Sequence, residues 1–103
     1  MNKYVISYEL RGHTFDYMDF YGEIKKCSEK YWHILEPVWV VYSELTAKEL
    51  TEKLMSHMYT SIAENGIYSG DKLVIMELAD GENFDGFAGR KFWDFLRGGD
   101  DGQ

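Results

Sequence analysis

The fold is decided by a stretch near the amino terminus, Lys3-Tyr4-Val5-Ile6-Ser7-Tyr8-Glu9-Leu10-Arg11. Its side chains alternate, with Tyr4, Ile6, Tyr8 and Leu10 on one face and Lys3, Val5, Ser7 and Glu9 on the other. β-Branched and aromatic residues suit a pleated, half-buried surface. The stretch therefore predicts a strand in the middle of a sheet, with the carboxylate of Glu9 where the strand ends.

A helix and two strands are predicted next. The helix begins near Asp16, and its apolar residues recur at helical spacing, which favours packing against the sheet. These residues are Tyr17, Phe20, Tyr21, Ile24 and Cys27. Residues 31–35 and 38–42 are typical of strands, and they flank Glu36-Pro37. Because proline lacks an amide proton, Pro37 marks a junction or an edge, so we expect an antiparallel pair, with one bent strand as the alternative.

The second helix has clear boundary signals. Thr46 and Glu49 form a capping box, and Leu45 and Leu50 have the spacing of a hydrophobic staple. The apolar face of this helix is formed by Ala47, Leu50, Leu54, Met58 and Ile62. Asn65-Gly66 is predicted to stop it.

The last third of the chain combines one strand with an aromatic segment. Residues 72–78 are predicted to form the strand. The aromatic segment contains Phe84, Phe87, Phe92, Trp93, Phe95 and Leu96. A short amphipathic helix is predicted from about Arg90 to Arg97, and residues 98–103 are expected to form a flexible tail.

The order of elements is strand, helix, strand, strand, helix, strand and aromatic extension. This order is typical of the α+β class and of a ferredoxin-like βαββαβ domain, with an antiparallel sheet and both helices on one face. A chain of 103 residues has room for one such domain, which we place at residues 1–97. The helix-free face of the sheet needs a cover, and a homodimer packed sheet to sheet is the simplest one. The predicted interface residues are Val5, Trp39, Phe84, Phe87, Phe92 and Trp93.

Composition limits the classes of function. The net charge of −7 argues against a broad basic face for nucleic acid and is compatible with a basic protein partner. A single cysteine, Cys27, excludes an internal disulfide and a cysteine-built zinc site, and it favours a reducing compartment. The first residues do not resemble a signal peptide, and no apolar run approaches the roughly 20 residues that span a bilayer. We expect a soluble, cytoplasmic protein with no membrane contact.

Most isolated polar residues have a structural interpretation. Cys27 closes an apolar stripe and is expected to be a small buried residue rather than a nucleophile. His33 lies between Trp32 and Ile34 and is expected to be packed and hydrogen-bonded, and His57 is expected at the edge of the core. The lysines Lys25, Lys26 and Lys30 form a modest basic patch, which is typical of a solvated helix face.

Four segments resemble a known group of proteins. They are Tyr4-Val5-Ile6-Ser7-Tyr8-Glu9-Leu10-Arg11, Trp32-His33-Ile34-Leu35-Glu36-Pro37-Val38-Trp39-Val40-Val41, Leu45-Thr46-Ala47-Lys48-Glu49-Leu50 and Gly70-Asp71-Lys72-Leu73-Val74-Ile75-Met76-Glu77-Leu78. Together they are similar to SinR-like proteins, small relatives of the CRISPR-associated ferredoxin-like dimers of spacer acquisition and of VapD-type toxin ribonucleases. The resemblance covers roughly residues 3 to 80.

The resemblance implies a metal-dependent nuclease site. In the CRISPR-associated group the first strand ends in an aspartate, and the two copies meet across the dimer axis to hold a divalent metal. Glu9, one methylene longer, occupies that position here. Paired Glu9 carboxylates would then bind Mg²⁺ or Mn²⁺. The loop just beyond Glu9 adds Asp16 as a candidate metal ligand, and it adds Arg11 and His13 to Glu9 as candidate catalytic residues. The alternative is that Glu9 is a solvated strand-end carboxylate, that His13 to Asp16 form a loop and a helix start, and that no cofactor is bound.

Two hypotheses for function follow. The first, which the charge balance and the altered Glu9 position favour, is a homodimeric interaction or regulatory module that binds another protein in a phage-defence, CRISPR-related or mobile-element setting. One version is acidic mimicry of nucleic acid, suggested by Asp80, Glu82, Asp85, Asp100 and Asp101. The second hypothesis is a metal-dependent endoribonuclease that uses paired Glu9 carboxylates.

Overall fold

The computed structural model describes residues 1–10, 17–58, 70–81 and 83–99. The strands are β1 (Asn2–Glu9), β2 (Lys30–Leu35), β3 (Val38–Ser43) and β4 (Lys72–Glu77), and the helices are α1 (Tyr17–Lys26), α2 (Ala47–Met55) and α3 (Arg90–Leu96). The fold is α+β. Its four-stranded antiparallel sheet and three helices are compatible with a small ferredoxin-like domain.

β1 lies inside the sheet, as its alternating sequence predicts. The strand order is β2-β3-β1-β4, and every neighbouring pair is antiparallel. In the register, Ile6 of β1 lies between Trp39 of β3 and Ile75 of β4. The antiparallel pair predicted around Pro37 is confirmed, since β2 and β3 pair on either side of the Glu36-Pro37 turn.

The larger core combines side chains of the strands β1 and β3 with side chains of the helices α1 and α2. We call it the first core, and its buried members are Tyr4, Ile6, Tyr8, Phe20, Ile24, Trp39, Val41, Leu50 and Leu54. The predicted stripe on α1 is confirmed by the full burial of Phe20 and Ile24, whereas Tyr17 is exposed. Removing each such large apolar side chain from water contributes about 1.5–3 kcal/mol.

The start of α2 is held by the predicted capping box. The Glu49 amide donates to Thr46 Oγ1 at 3.1 Å, and the Thr46 amide donates to Glu49 Oε1 at 2.9 Å. Both bonds satisfy backbone donors that a helix start leaves without intrahelical partners. Leu50 lies in the first core and Leu45 packs against it, at the positions of the predicted staple.

The end of α2 differs from the prediction. The apolar pattern predicts a helix that continues past Met58, but α2 ends at Met55. The amides of His57 and Met58 bond to carbonyls three residues back, at 3.0 and 3.1 Å, so the chain tightens into a turn. Met58 still packs against the first core. Ile62 and the predicted stop at 65–66 lie outside the described residues.

The third helix covers part of the opposite sheet face. Because side chains alternate along a strand, Val40 points away from the first core and packs against α3. This second core also buries Phe92, Phe95 and Leu96. The predicted helix at about 90–97 is confirmed as α3. The same chain therefore covers this part of the sheet, whereas the simplest cover predicted from the sequence was a second copy.

Three side chains of the sheet hold the end of α3. Lys3 is only 8% exposed, and its Nζ donates to the Leu96 carbonyl at 2.9 Å. Tyr42 Oη donates to the Phe95 carbonyl at 2.7 Å, and Lys30 Nζ donates to the Gly98 and Gly99 carbonyls at 3.1 and 2.9 Å. The last carbonyls of a helix lack intrahelical partners and carry a partial negative charge, so cationic donors stabilise them.

The predicted flexible tail at residues 98–103 is described only in part. Gly98 and Gly99 belong to the expected tail, yet the Gly99 amide donates to the Asp94 carbonyl at 2.9 Å. Residues 100–103 lie outside the described residues. Across the described ranges, each helix is too short or too polar to cross a bilayer.

Candidate interaction surface and strand-end carboxylate

The outer face of the sheet, opposite the first core, is unevenly covered. α3 packs over β2 and β3, whereas β4 exposes apolar residues on the same face and the neighbouring residues of β1 are only partly buried. Val74 and Met76 are 52% and 59% exposed, and they lie opposite Ser7 and Val5 in the β1–β4 register. We call Val5, Ser7, Val74 and Met76 the bare half-face.

The bare half-face borders the edge of the sheet. β4 pairs with β1 on one side, and among the described residues no strand pairs with its other side. An edge strand presents unpaired backbone donors and acceptors that can receive another strand. This edge therefore combines apolar side chains with available backbone hydrogen-bonding groups.

Glu9 lies at the end of β1, where the sequence places it. Its carboxylate is about half exposed, and Oε1 is 3.9 Å from Lys72 Nζ on β4. The two side chains help to line a shallow cavity of about 220 Å³ with Ser7, Tyr8 and Val74. An exposed ion pair of this kind contributes about 0–1 kcal/mol, so the fold does not depend on it.

The other candidate residues for a nuclease site cannot be placed beside Glu9. Arg11, His13 and Asp16 lie outside the described residues. Within the described ranges, no three His, Cys, Asp or Glu side chains are grouped to hold a metal ion. Glu9 is thus the only candidate nuclease residue that lies among the described residues.

The predicted interface residues are found in different environments. Trp39 is 2% exposed and belongs to the first core, and Phe92 is buried in the second core. These two side chains have no surface for a partner, because their own chain covers them, and we remove them from the proposed interface. Val5 remains at the bare half-face.

The other aromatic residues of that prediction lie around α3. The rings of Phe84 and Trp93 stack at 5.9 Å with an interplanar angle of 3°, and the Arg97 guanidinium lies 5.2 Å from the Phe84 ring. Phe87, in the loop before α3, is fully exposed. An open cavity of about 510 Å³ lies beside this stack, with Arg90 and Asp94 also in its lining.

A histidine between two carboxylates joins α1 to the end of α2. His57 Nδ1 lies 3.0 Å from Asp19 Oδ2, and Nε2 lies 3.0 Å from Glu23 Oε1. Both ring nitrogens donate only in the imidazolium form, so that form fits both carboxylates. Cys27 Sγ also donates to Glu23, at 3.4 Å.

The pKa values in this group follow from burial and hydrogen bonding. Burial by itself raises the pKa of the Glu23 carboxyl, but hydrogen bonds from His57 and Cys27 outweigh it and hold that pKa below its ordinary value. Burial raises the pKa of the Cys27 thiol to about 11, and the contact with Glu23 adds to the effect. A thiol of this kind is a poor nucleophile at neutral pH, which agrees with the structural interpretation of Cys27.

His33 is packed and hydrogen-bonded, as predicted. Its ring stacks on Trp39 at 4.3 Å and 12°, and Nε2 lies 2.9 Å from the Glu36 carbonyl oxygen, to which it can donate. Tyr8 Oη donates to the same carbonyl at 2.8 Å and accepts from Trp39 Nε1 at 3.1 Å. Burial raises the pKa of the Tyr8 hydroxyl well above its ordinary value, so it is not poised to act as a base.

Sequence reasoning missed two of these features. Asp19 and Glu23 are four residues apart on α1, and this spacing indicates only that they share one face of the helix. Their link to His57 joins positions 38 and 34 residues apart, which no local pattern reveals. Lys30 was assigned to a basic patch, but it holds the carbonyls of Gly98 and Gly99 instead.

No protein-family model, curated protein or solved structure matches this chain. The resemblance to SinR-like and CRISPR-associated proteins therefore stays a prediction.

Proposed function

We propose that this protein is a homodimeric, non-enzymatic interaction module with a ferredoxin-like fold. The observation that carries the proposal is the bare half-face beside the open edge of β4. Contiguous exposed apolar residues next to available backbone groups are typical of a protein-binding surface. On the other half of the same face, α3 already provides a cover from the same chain.

The fold assignment within this proposal rests on the order of elements. The order β1-α1-β2-β3-α2-β4 with the sheet order β2-β3-β1-β4 corresponds to two interleaved split βαβ units. Side chains of α1 and α2 share the first core, which supports both helices lying on one face. α3 would then be an addition on the opposite face.

The charge distribution supports a protein partner. A chain with a net charge of −7 repels the phosphate backbone, and the structure employs Lys3 and Lys30 as donors to backbone carbonyls. We propose that the dimer binds a basic protein. A phage-defence, CRISPR-related or mobile-element setting is suggested by the resemblance alone.

Self-association is tested by placing a charge on the bare half-face. We expect sedimentation at micromolar concentrations to give a dimer, and Met76→Lys to raise its dissociation constant at least tenfold, because an unpaired charge would be desolvated in the interface. Leu35→Lys is the matched control. Leu35 is 61% exposed on the far edge strand β2, and its replacement should leave the dimer intact. A wild-type monomer throughout this concentration range would overturn the proposal.

A second candidate function is the metal-dependent endoribonuclease. The observation in its favour is that the Glu9 carboxylate is accessible and lies beside the Lys72 ammonium, a combination that suits a metal ion and a phosphate. Incubation with single-stranded RNA and Mg²⁺ or Mn²⁺ tests it. Cleavage that disappears in Glu9→Gln but persists in Glu77→Gln would establish the nuclease and refute a non-enzymatic role. No cleavage by the wild type would remove this candidate.

A further inference from the structure

We propose that the open edge of β4 binds β4 of a second copy, antiparallel and centred on Ile75, so that two four-stranded sheets form one continuous sheet of eight strands. This inference rests on the proposed homodimer and specifies its geometry. It follows from the direction of the backbone groups, the pleat of the strand and the apolar side chains on its outer face.

The pairing with β1 determines which peptide groups of β4 already form hydrogen bonds within the sheet. The Leu78 amide donates to the Lys3 carbonyl at 2.8 Å, so these two residues form a hydrogen-bonded pair at the end of the ladder. Hydrogen-bonded and non-hydrogen-bonded pairs alternate along antiparallel strands. Met76 and Val74, two and four residues back, therefore also direct their peptide groups toward β1.

The intervening residues direct their peptide groups outward. The pairing of β1 with β3 supports this assignment. The Tyr8 amide donates to the Pro37 carbonyl at 3.1 Å. The even-numbered residues of β1 therefore form the hydrogen-bonded pairs with β3. The odd-numbered residues of β1 are then those that bond to β4. The outward-directed groups of β4 belong to Leu73, Ile75 and Glu77.

A two-fold axis restricts how a second β4 can add. For the pleats of the two strands to continue, the axis must be perpendicular to the sheet, and directly opposite residues must have their side chains on the same face. Centring the axis on Ile75 pairs each Leu73 with Glu77 of the second copy and the two Ile75 residues with each other. This register is the one that uses all three outward-directed residues in both copies.

The side chains on the outer face favour the same register. A register centred on Val74 would set Met76 opposite Lys72 of the second copy, which places a charged side chain against an apolar one. The register centred on Ile75 sets Met76 opposite Val74 instead, so that the exposed apolar side chains contact each other.

The resulting dimer would join the two bare half-faces. Val74 lies directly opposite Met76 of the second copy, and the reciprocal pair lies across the axis. Both residues are more than half exposed in the single chain. Their cross-strand contacts would remove part of this apolar surface from water, and the open edges of both strands would disappear.

This geometry separates the dimer from the paired-carboxylate nuclease. Glu9 lies opposite Lys72, three residues from the proposed axis and one strand inside the edge. With strands about 4.8 Å apart and a rise of about 3.3 Å per residue, the two Glu9 residues would be about 25 Å apart. Carboxylates at this separation cannot bind one metal ion, so an edge dimer would not assemble a shared Glu9 site.

Disulfide cross-linking tests the register in a Cys27→Ser background. Cα atoms of a directly opposite non-hydrogen-bonded pair are about 4.5 Å apart, within disulfide range, whereas diagonal neighbours are about 7–8 Å apart, beyond it. We expect a mixture of Val74→Cys and Met76→Cys chains to form covalent dimers on mild oxidation at least tenfold faster than either variant alone. Leu35→Cys mixed with each variant is the control and should not cross-link.

Each other outcome overturns the inference in a recognisable way. Rapid cross-linking of Val74→Cys alone would place the axis at Val74. A dimer in sedimentation that gives no cross-link in any mixture would use another surface, so the proposed homodimer would survive and this geometry would not. A monomer in sedimentation would remove both.

Discussion

The two halves of the outer sheet face differ in cover although both present apolar side chains. Over β2 and β3, Val40 is buried beneath α3, whereas over β1 and β4, Val74 and Met76 remain exposed. The polar anchors explain where α3 stops. Lys3, Lys30 and Tyr42 bind the carbonyls at the end of the helix, and none of them belongs to β4. The position of a covering helix is thus set by hydrogen bonds at its end as well as by apolar contact along its length.

The largest predicted effect comes from removing the main apolar contact of the covered half. Phe95 is fully buried in the second core, and Phe95→Ala should reduce the free energy of unfolding by about 3–5 kcal/mol, because it leaves a cavity. Urea denaturation measures this loss. Phe87→Ala is the matched control, since Phe87 is fully exposed, and should change stability by less than about 0.5 kcal/mol. Equal losses in the two variants would contradict the described packing of α3.

A smaller effect is expected when the anchor is removed and the apolar contacts are kept. Lys3→Met retains most of the side-chain volume but not the donor to the Leu96 carbonyl, so it should cost about 1–2 kcal/mol. Hydrogen exchange should quicken at the α3 amides more than at those of α1. Lys91→Met, at an exposed position on α3, should show neither change. Unaltered exchange in Lys3→Met would mean that apolar packing alone holds α3.

The smallest effect is predicted for the contact between Glu23 on α1 and His57 after α2. This contact lies away from the outer face of the sheet, so its loss should not change how α3 covers that face. Glu23→Gln should cost about 1 kcal/mol at neutral pH, because it removes the charged partner of His57. The pKa of Glu23 is lowered on folding, so its contribution is present above the unfolded value of about 4.3 and is lost as the pH falls through the folded value.

The pH dependence gives the measurement for that prediction. The difference in unfolding free energy between wild type and Glu23→Gln should shrink as the pH falls below about 4.3. Glu52→Gln, at an exposed position on α2, serves as the control with little dependence. A difference that grows in acid would contradict the assigned partners of Glu23.

Local patterns predicted much of the fold. The alternation in β1 placed Ile6 inside the sheet, and the Thr46–Glu49 box located the start of α2, because both signals depend on neighbours in sequence. The predicted end of α2 was wrong, because the apolar pattern continues to Met58 whereas the backbone tightens into a turn after Met55. The position of α3 on the outer face could not be predicted, because its anchors lie on distant strands.

The candidate site was predictable only in part. Glu9 was placed correctly at the end of β1, because strand length follows from the alternating run. The partners of that carboxylate depend on strand order, and Lys72 comes beside it only through the β1–β4 register. The bare half-face also follows from this register, since Val5 and Met76 are distant in sequence.

The bond between Lys3 and Leu96 has a consequence for how the chain folds during synthesis. It joins positions 93 residues apart, so the amine of Lys3 on β1 cannot reach its acceptor until Leu96 has left the ribosome. The first core takes its buried members from residues up to Leu54 and can begin to collapse much earlier. We therefore expect the first core to form before the second core, and Lys3 to be hydrated in the interval.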